Sequence, residues 1–107
     1  MHMHGVRANA LRWISDEPQP GWIEVEFIDA DGRRWLVHDK PPMFAEPPGG
    51  FLPTSSYPMP TVIPCDVERR QLSLDGRELV TIVLRHTDAI TGETRFKVAA
   101  SELVTAW

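Results

Sequence analysis

The sequence is short of cysteine, of long apolar runs and of basic charge. Its single cysteine, Cys65, excludes an internal disulfide and is typical of a protein from a reducing compartment. No stretch approaches the roughly 20 apolar residues that a membrane helix needs, and the N-terminal residues lack the basic end and apolar run of a signal peptide. We therefore expect a cytoplasmic protein without membrane contact.

Net charge argues against one class of function. The chain has 15 acidic and 11 basic side chains, a net charge of −4. A protein that follows a nucleic-acid backbone needs a basic surface, so nucleic-acid binding is disfavoured. The 107 residues predict one domain over 1–107, since two separate cores would need a longer chain. Residues 1–5, which begin MHMH, are predicted to be disordered or tag-like.

The clearest local signal is a β-hairpin from Trp22 to His38. Ile23, Val25 and Phe27 alternate with Trp22, Glu24, Glu26 and Ile28. This is the period-two pattern of a strand with one face on a core and one in water. Asp29 to Gly32 then predicts a type I turn that closes on Gly32, because glycine accepts positive φ without steric cost. Arg33 to His38 alternates again and forms the second strand.

The remaining pattern predicts further short strands and few helices. Val6–Ile14 reads as a strand with a bulge at Ala10-Leu11, or alternatively as a short helix. Later elements are the strand Val62–Leu74, the turn Asp75-Gly76, the central strand Leu79–His86, a turn containing Gly92, and the strand Arg95–Val98. Ser101 and Glu102 are predicted to open one helical turn that docks Leu103, Val104 and Trp107.

These elements predict an all-β fold: a small, partly open antiparallel barrel of five to seven strands, SH3-like or OB-like. Within it, Ile23 to Val37 and Val80 to Val98 share a scheme of apolar strand, turn with glycine, basic residue, aromatic and valine. Superposing the two stretches requires a four-residue insertion in the second. We interpret them as two similar hairpins of one sheet and not as a repeat protein.

A proline-rich loop is predicted from Pro41 to Pro64, which contains eight of the chain's ten prolines. Proline removes donors from a sheet ladder, which argues against a regular strand there. A loop this long is either functional or disordered, and its large apolar side chains argue against disorder. We expect it to cross the barrel wall and bury Phe44, Phe51 or Tyr57. The candidate interaction residues are Met43, Phe44, Phe51, Tyr57 and Trp35.

Candidate chemistry is sparse. Cys65 and Asp66 with His38 or His86 could form a nucleophile system, but nothing indicates an activated thiolate, and a buried structural cysteine is favoured. The histidines lack metal-ligand spacing, so the sequence predicts no catalytic residue, cofactor or metal site.

Two further groups of residues have both a functional and a structural interpretation. Glu24 and Glu26 lie on one strand face at a glycosidase-like separation, yet ion pairs with Arg33 and Arg34 explain them better. Aromatic and basic residues together resemble a single-strand nucleic-acid platform, but Glu24 and Glu26 share that face and would repel phosphates. The residues of this second group are Trp22, Trp35, Tyr57, Arg33, Arg34, Arg69 and Arg70.

The sequence therefore favours a non-catalytic module that binds another protein, or a second copy of itself, through the proline-rich loop and an exposed sheet edge. The alternatives are an OB-like binder of single-stranded nucleic acid and a small ligand-binding or enzymatic barrel. The discriminating feature is the face that carries Trp22 and Trp35.

Overall fold

The computed structural model describes residues 4–105 and shows an all-β fold. Seven antiparallel strands form one strongly curled sheet in the order β3-β2-β1-β4-β5-β6, with β7 on the other edge of β1. The strands are β1 (His4–Ser15), β2 (Trp22–Ile28), β3 (Arg34–Asp39), β4 (Met59–Leu72), β5 (Glu78–Leu84), β6 (Arg95–Ala99) and β7 (Leu103–Thr105). Two 3-10 turns complete it, at Pro41–Met43 and Ala100–Glu102. The predicted partly open barrel is confirmed.

The core fills the inside of the curl. Alternate residues of each strand are buried there, such as Val6, Ile23, Val37, Ile63 and Val98, each with no exposed surface. Their neighbours in sequence point to the outer face, which explains the alternation of apolar and polar residues along β1 and β2.

The two edge strands approach each other and nearly close the barrel. Phe96 of β6 contacts both Trp35 and Phe27 edge to face, with ring centroids 4.8 and 4.9 Å apart. Two backbone hydrogen bonds also cross the opening, from Ala30 N–H to the Lys97 carbonyl and from Ile90 N–H to the Leu36 carbonyl. The edges of β3 and β6 are therefore partly covered.

The order of strands reveals two equivalent halves, the β1-β2-β3 meander and the β4-β5-β6 meander. Ala10 pairs with Val25 in the first half, and Val67 pairs with Ile82 in the second. Each residue of the second pair lies 57 positions after its counterpart in the first. The same offset relates the bulge after Ala10 to the bulge after Val67.

The strand register also shows where the approximate symmetry axis between the two halves lies. Val6 pairs directly with Ile63, which is its own equivalent at the same offset, so an approximate two-fold axis passes between these two residues. In the third strands the offset becomes 59, because Val25 pairs with Val37 and Ile82 pairs with Phe96. The inserted segment is thus two residues long and not four, and the resemblance extends from the two hairpins to both complete meanders.

Three tight turns, which contain Gly32, Gly76 and Gly92, share one backbone conformation. Gly32, Gly76 and Gly92 all have positive φ, and each donates its N–H to the carbonyl three residues earlier. In each turn the residue before the loop also bonds to the carbonyl four residues later, as at Asp29 and Arg33 (2.9 Å). The predicted turn chemistry at all three sites is confirmed.

Three boundaries differ from the sequence prediction. The predicted loop ends at Pro58, because β4 starts at Met59 and contains Pro60 and Pro64. The carbonyls of Val62 and Pro64 accept bonds from Ala45 and Arg85 on the side away from β1. A residue's N–H and C=O point to the same side in an antiparallel strand, so these prolines remove no donor from the β1 ladder.

The other two corrections concern the ends of the chain. His4 and Gly5, predicted to be disordered or tag-like, belong to β1 and pair with Cys65 and Pro64. The predicted C-terminal helical turn is present as the 3-10 turn Ala100–Glu102, but Leu103 and Val104, predicted to dock from it, form the short strand β7 on β1. They extend the sheet because Gly5 and its neighbours leave an edge free there. Trp107 lies outside the described residues.

Candidate functional site

The proline-rich loop packs its aromatic side chains inward. Phe44 and Phe51 are each only 4% exposed and belong to the core, and Trp35 is buried as well. Met43 and Tyr57 are half-buried against the same core. The loop therefore covers the core with Phe44 and Phe51, as expected, and three of the five candidate interaction residues, Phe44, Phe51 and Trp35, are buried.

Hydrogen bonds fix the loop in this position. Ala45 donates its N–H to the Val62 carbonyl and accepts a bond from the Thr61 hydroxyl at 2.7 Å. The Tyr57 hydroxyl donates to the Leu52 carbonyl at 2.7 Å, and burial raises the pKa of this phenol. Because Val62 is the equivalent of Gly5, Ala45 covers β4 at the position where Val104 of β7 covers β1.

Above this segment, the outer face of the sheet carries a cleft of about 520 Å³. We call it the outer-face cleft. Its floor comes from β1, β2 and β4, one wall is the loop segment Ala45–Pro47, and Glu102 lies at its margin. The lining residues are Arg7, Ala8, Asn9, Glu26, Phe27, Ile28, Ala45, Glu46, Pro47, Pro60, Thr61, Val62 and Glu102.

The lining combines apolar surface with a few charges. Ile28, Pro60 and Val62 supply outward apolar groups, and Asn9 supplies an exposed amide. Glu26 is held by Arg34, with Nε to Oε2 at 3.2 Å. Glu46 accepts a weak bond from the Phe51 N–H at 3.4 Å. The three carboxylates outnumber the guanidinium groups of Arg7 and Arg34, which leaves the cleft weakly acidic.

The cleft lies where the two halves differ. Asn9 and Ile28 correspond, at the offset of 57, to Asp66 and Arg85. Asp66 and Arg85 form an ion pair across the outer face of the second half. In the first half the same positions hold an amide and an exposed isoleucine, which leave the surface between β1 and β2 open.

The burial of Cys65 supports its structural interpretation over the nucleophile alternative. Cys65 has no exposed surface, and burial together with the Asp66 charge raises the pKa of its thiol to about 12. It is therefore a protonated core residue at neutral pH, as the structural interpretation predicts. Among residues 4–105, no group of three His, Cys, Asp or Glu side chains is placed to hold a metal ion.

Glu24 and Glu26 take part in ion pairs, as the structural interpretation expects. Glu24 contacts Arg12 Nε at 3.1 Å and His38 Nε2 at 2.8 Å. Burial raises the pKa of Glu24, but the hydrogen bonds from His38 and Arg12 outweigh it and leave the pKa lowered. The partners differ in part from the prediction, because Arg33 lies over the Trp35 ring at 4.4 Å instead.

The aromatic and basic residues considered as a nucleic-acid platform lie on different parts of the structure. Trp35 is buried, and its indole N–H donates to Asp29 Oδ2 at 2.8 Å. Trp22 is half-buried on the outer face of β2 beside Glu24, far along the sheet from Arg69 and Arg70 on β4. Arg70 pairs with Glu78. Trp22 therefore does not share one surface with Arg69 and Arg70, and Arg33 lies over the buried Trp35 instead.

No protein-family model matches the chain, and comparisons with curated proteins and with solved structures gave no match. In the described part of the chain, no helix has the length and apolarity to cross a membrane.

Sequence reasoning missed the cleft because its residues come from five segments of the chain. Asn9 and Ile28 are unremarkable in the sequence, and only the strand register shows that they occupy the positions of an ion pair in the other half. The similarity between Ile23 to Val37 and Val80 to Val98 was the available signal, but it had to be extended to the first strand of each half.

Proposed function

We propose that this domain is a non-catalytic protein-interaction module whose outer-face cleft takes an extended segment of a protein. The observation that carries the proposal is the cleft itself, which is open and long enough to cross three strands. Clefts of this volume are in the range that binds ligands, and mixed apolar and polar linings suit peptide side chains.

The proposal keeps the proline-rich loop as part of the site but changes its role. Ala45, Glu46 and Pro47 supply a rigid wall, while the aromatic residues of the loop hold that wall against the core. A preformed wall favours binding because little conformational entropy is lost on association. The edges of β3 and β6 contribute less than expected, because cross-barrel hydrogen bonds cover them in part.

The test uses the difference between the halves. The double substitution Asn9→Asp with Ile28→Arg copies the Asp66 and Arg85 pair into the cleft without changing its net charge. We expect the variant to fold with a melting midpoint near that of the wild type and to close the cleft. Panning a library of short random peptides should enrich binders on the wild type, and the variant should bind them about tenfold or more weakly.

A matched control places the same residue types elsewhere. Leu52→Arg with Thr54→Asp changes two exposed side chains of the loop outside the cleft. This control should bind the selected peptides as tightly as the wild type. Equal loss in both variants, or peptides that bind the closed variant unchanged, would remove the cleft as the binding site.

A further inference from the structure

The tip of the β4-β5 hairpin, which we define as residues 69–78, presents apolar side chains to solvent. Leu72 is 74% exposed and Leu74 is fully exposed. The next buried residue along the chain is Leu79. The turn geometry depends on Gly76 and on the Ser73 hydroxyl, which accepts a bond from Arg77 N–H, and so does not require leucine at 74.

Three turns of the same backbone conformation show what the residue at this position does elsewhere. Ala30 and Ile90 occupy the second position of their turns, and each donates its backbone N–H to a carbonyl of the opposite edge strand. Leu74 occupies the same position in the third turn. Within residues 4–105 its N–H makes no backbone hydrogen bond. The third turn thus has the same backbone as the other two, but it contacts the rest of the chain through a side chain, since Arg77 Nη1 donates to the Ala30 carbonyl at 3.0 Å.

The tip leucines do not occupy the cleft of their own chain. Leu72 and Leu74 are exposed, and Leu72 lies ten residues along β4 from Val62 in the cleft, about 30 Å at the rise of an extended strand. Arg77 of the tip does contact its own chain near the cleft, because its Nη1 donates to the Ala30 carbonyl at 3.0 Å, two residues beyond Ile28. A cleft that receives the two leucines therefore belongs to another molecule.

The net charges of tip and cleft are opposite in sign. The tip carries Arg69, Arg70 and Arg77 against two carboxylates, and Arg70 and Arg77 pair with Glu78 and Asp75 within it. The cleft carries Glu26, Glu46 and Glu102 against Arg7 and against Arg34, which pairs with Glu26. Apolar surface meets apolar surface as well, since the leucines of the tip face a floor of Ile28, Pro60 and Val62.

We propose that the protein in the cleft is a second copy of this chain, which inserts its β4-β5 hairpin tip. This inference rests on the proposed function and names its partner. The contact is heterologous, so each molecule offers one tip and one cleft, and association continues head to tail into chains or closes into a ring.

The test compares variants that each lose one side of the contact. Leu72→Ser with Leu74→Ser removes the tip, and Asn9→Asp with Ile28→Arg closes the cleft. In sedimentation velocity and light scattering, we expect the mass of the wild type to rise with concentration and each variant to remain a monomer. An equimolar mixture of the two variants should form a dimer and nothing larger, because only one complete contact is left.

Controls separate this contact from nonspecific apolar association. Ile90→Ser changes the exposed residue at the equivalent turn position and should leave assembly unchanged. Asn9→Trp fills the cleft from an exposed position without changing charge, and replaces the double variant as the closed form if that protein folds poorly.

Three results would overturn the inference. The wild type could be a monomer at every concentration, the tip variant could assemble as the wild type does, or closing the cleft could leave assembly intact, which would indicate a symmetric tip-to-tip dimer. Peptide panning on the tip variant, whose cleft is unchanged, distinguishes the two proposals. If peptides bind the cleft of the tip variant but the wild type is a monomer, the self-association proposal is wrong and the peptide-binding proposal stands.

Discussion

The two meanders of this domain have the same backbone plan and different surfaces. Both have a bulge at the same position of their first strand and pair their three strands in the same order. In both, the turn between the second and third strands contains a glycine with positive φ. Their outer faces diverge, with Asn9 and Ile28 in one half and the Asp66 and Arg85 ion pair in the other. The plan therefore depends on alternating apolar residues and turn chemistry, while the exposed positions are free to become a binding surface.

The halves also differ in what covers the edge of their first strand, β1 or β4. The edge of β1 is covered by β7, a regular strand, and the edge of β4 is covered by Ala45 of the proline-rich loop. Where β7 forms a ladder on β1, the loop is joined to β4 by a backbone bond from Ala45 to Val62 and by the Thr61 hydroxyl, which donates to the Ala45 carbonyl. The loop compensates by inserting Phe44 and Phe51 into the core.

The largest predicted effect follows from this difference. Phe44→Ser with Phe51→Ser should destabilise the domain severely, since emptying an aromatic core site costs about 3 to 5 kcal/mol and a domain has only about 5 to 15 kcal/mol in total. Urea denaturation followed by fluorescence measures the effect. Leu52→Ser, on an exposed neighbour in the same loop, should leave the midpoint nearly unchanged. A double variant as stable as the wild type would mean that the loop does not cover the core.

The second prediction concerns the side-chain support of equivalent turns. Asp29 accepts bonds from the N–H groups of Asp31 and Arg33 through Oδ1 and from Trp35 through Oδ2, whereas Ala89 at the equivalent position has no acceptor. Asp29→Asn replaces the Oδ2 acceptor by a donor that faces the indole N–H. We expect a loss of about 1 to 3 kcal/mol, the cost of leaving such a donor unpaired.

Acid should reduce this loss. Burial raises the pKa of Asp29, but the bonds from Trp35, Arg33 and Asp31 outweigh it and lower the pKa from its usual 3.8. A lowered pKa stabilises the fold above the unfolded value, and that contribution disappears as pH falls through the folded value. The difference in stability between the wild type and Asp29→Asn should therefore begin to shrink as pH falls below 3.8 and be smallest once pH is below the lowered pKa of folded Asp29. Asp31→Asn, on an exposed carboxylate of the same turn, should not show this behaviour.

The third prediction tests whether the turns are equivalent. Gly32→Val and Gly92→Val should each cost about 1 to 2 kcal/mol, because a β-branched residue is strained at positive φ. A Cβ at either position meets no atom within 4 Å, so backbone strain is the only cost. Similar shifts of the melting midpoint are expected in both halves, and an unchanged midpoint at one site would separate the two turns.

Local chemistry made most of the fold predictable. The hairpin from Trp22 to His38, the bulge at Leu11 and the three glycine turns all follow from residues close together in sequence. Errors occurred where partners are distant. Pro60 and Pro64 enter a strand because their missing donors face away from β1, and Leu103 enters a strand because β1 offers a free edge.

The candidate site was predictable only in outline. The sequence indicated that the loop matters, and it named aromatic residues because exposed aromatic groups often bind proteins. The structure assigns those residues to the core and gives the surface to small and polar neighbours, Ala45 to Pro47. Which side of a proline-rich segment faces inward depends on contacts with β4, and no periodicity in the segment encodes them.

The smallest predicted effect compares one pair of equivalent core positions. Cys65 in β4 corresponds to Ala8 in β1, and both are buried. Cys65→Ala therefore places in the second half the residue that the first half already has, and the loss of one buried sulfur should cost about 1 kcal/mol or less. The native thiol, with a pKa of about 12 and no exposed surface, should resist a thiol reagent at neutral pH and react only after unfolding. Rapid labelling of the folded protein would show that β4 opens at Cys65, and a large loss on Cys65→Ala would show that the two halves pack their centres differently.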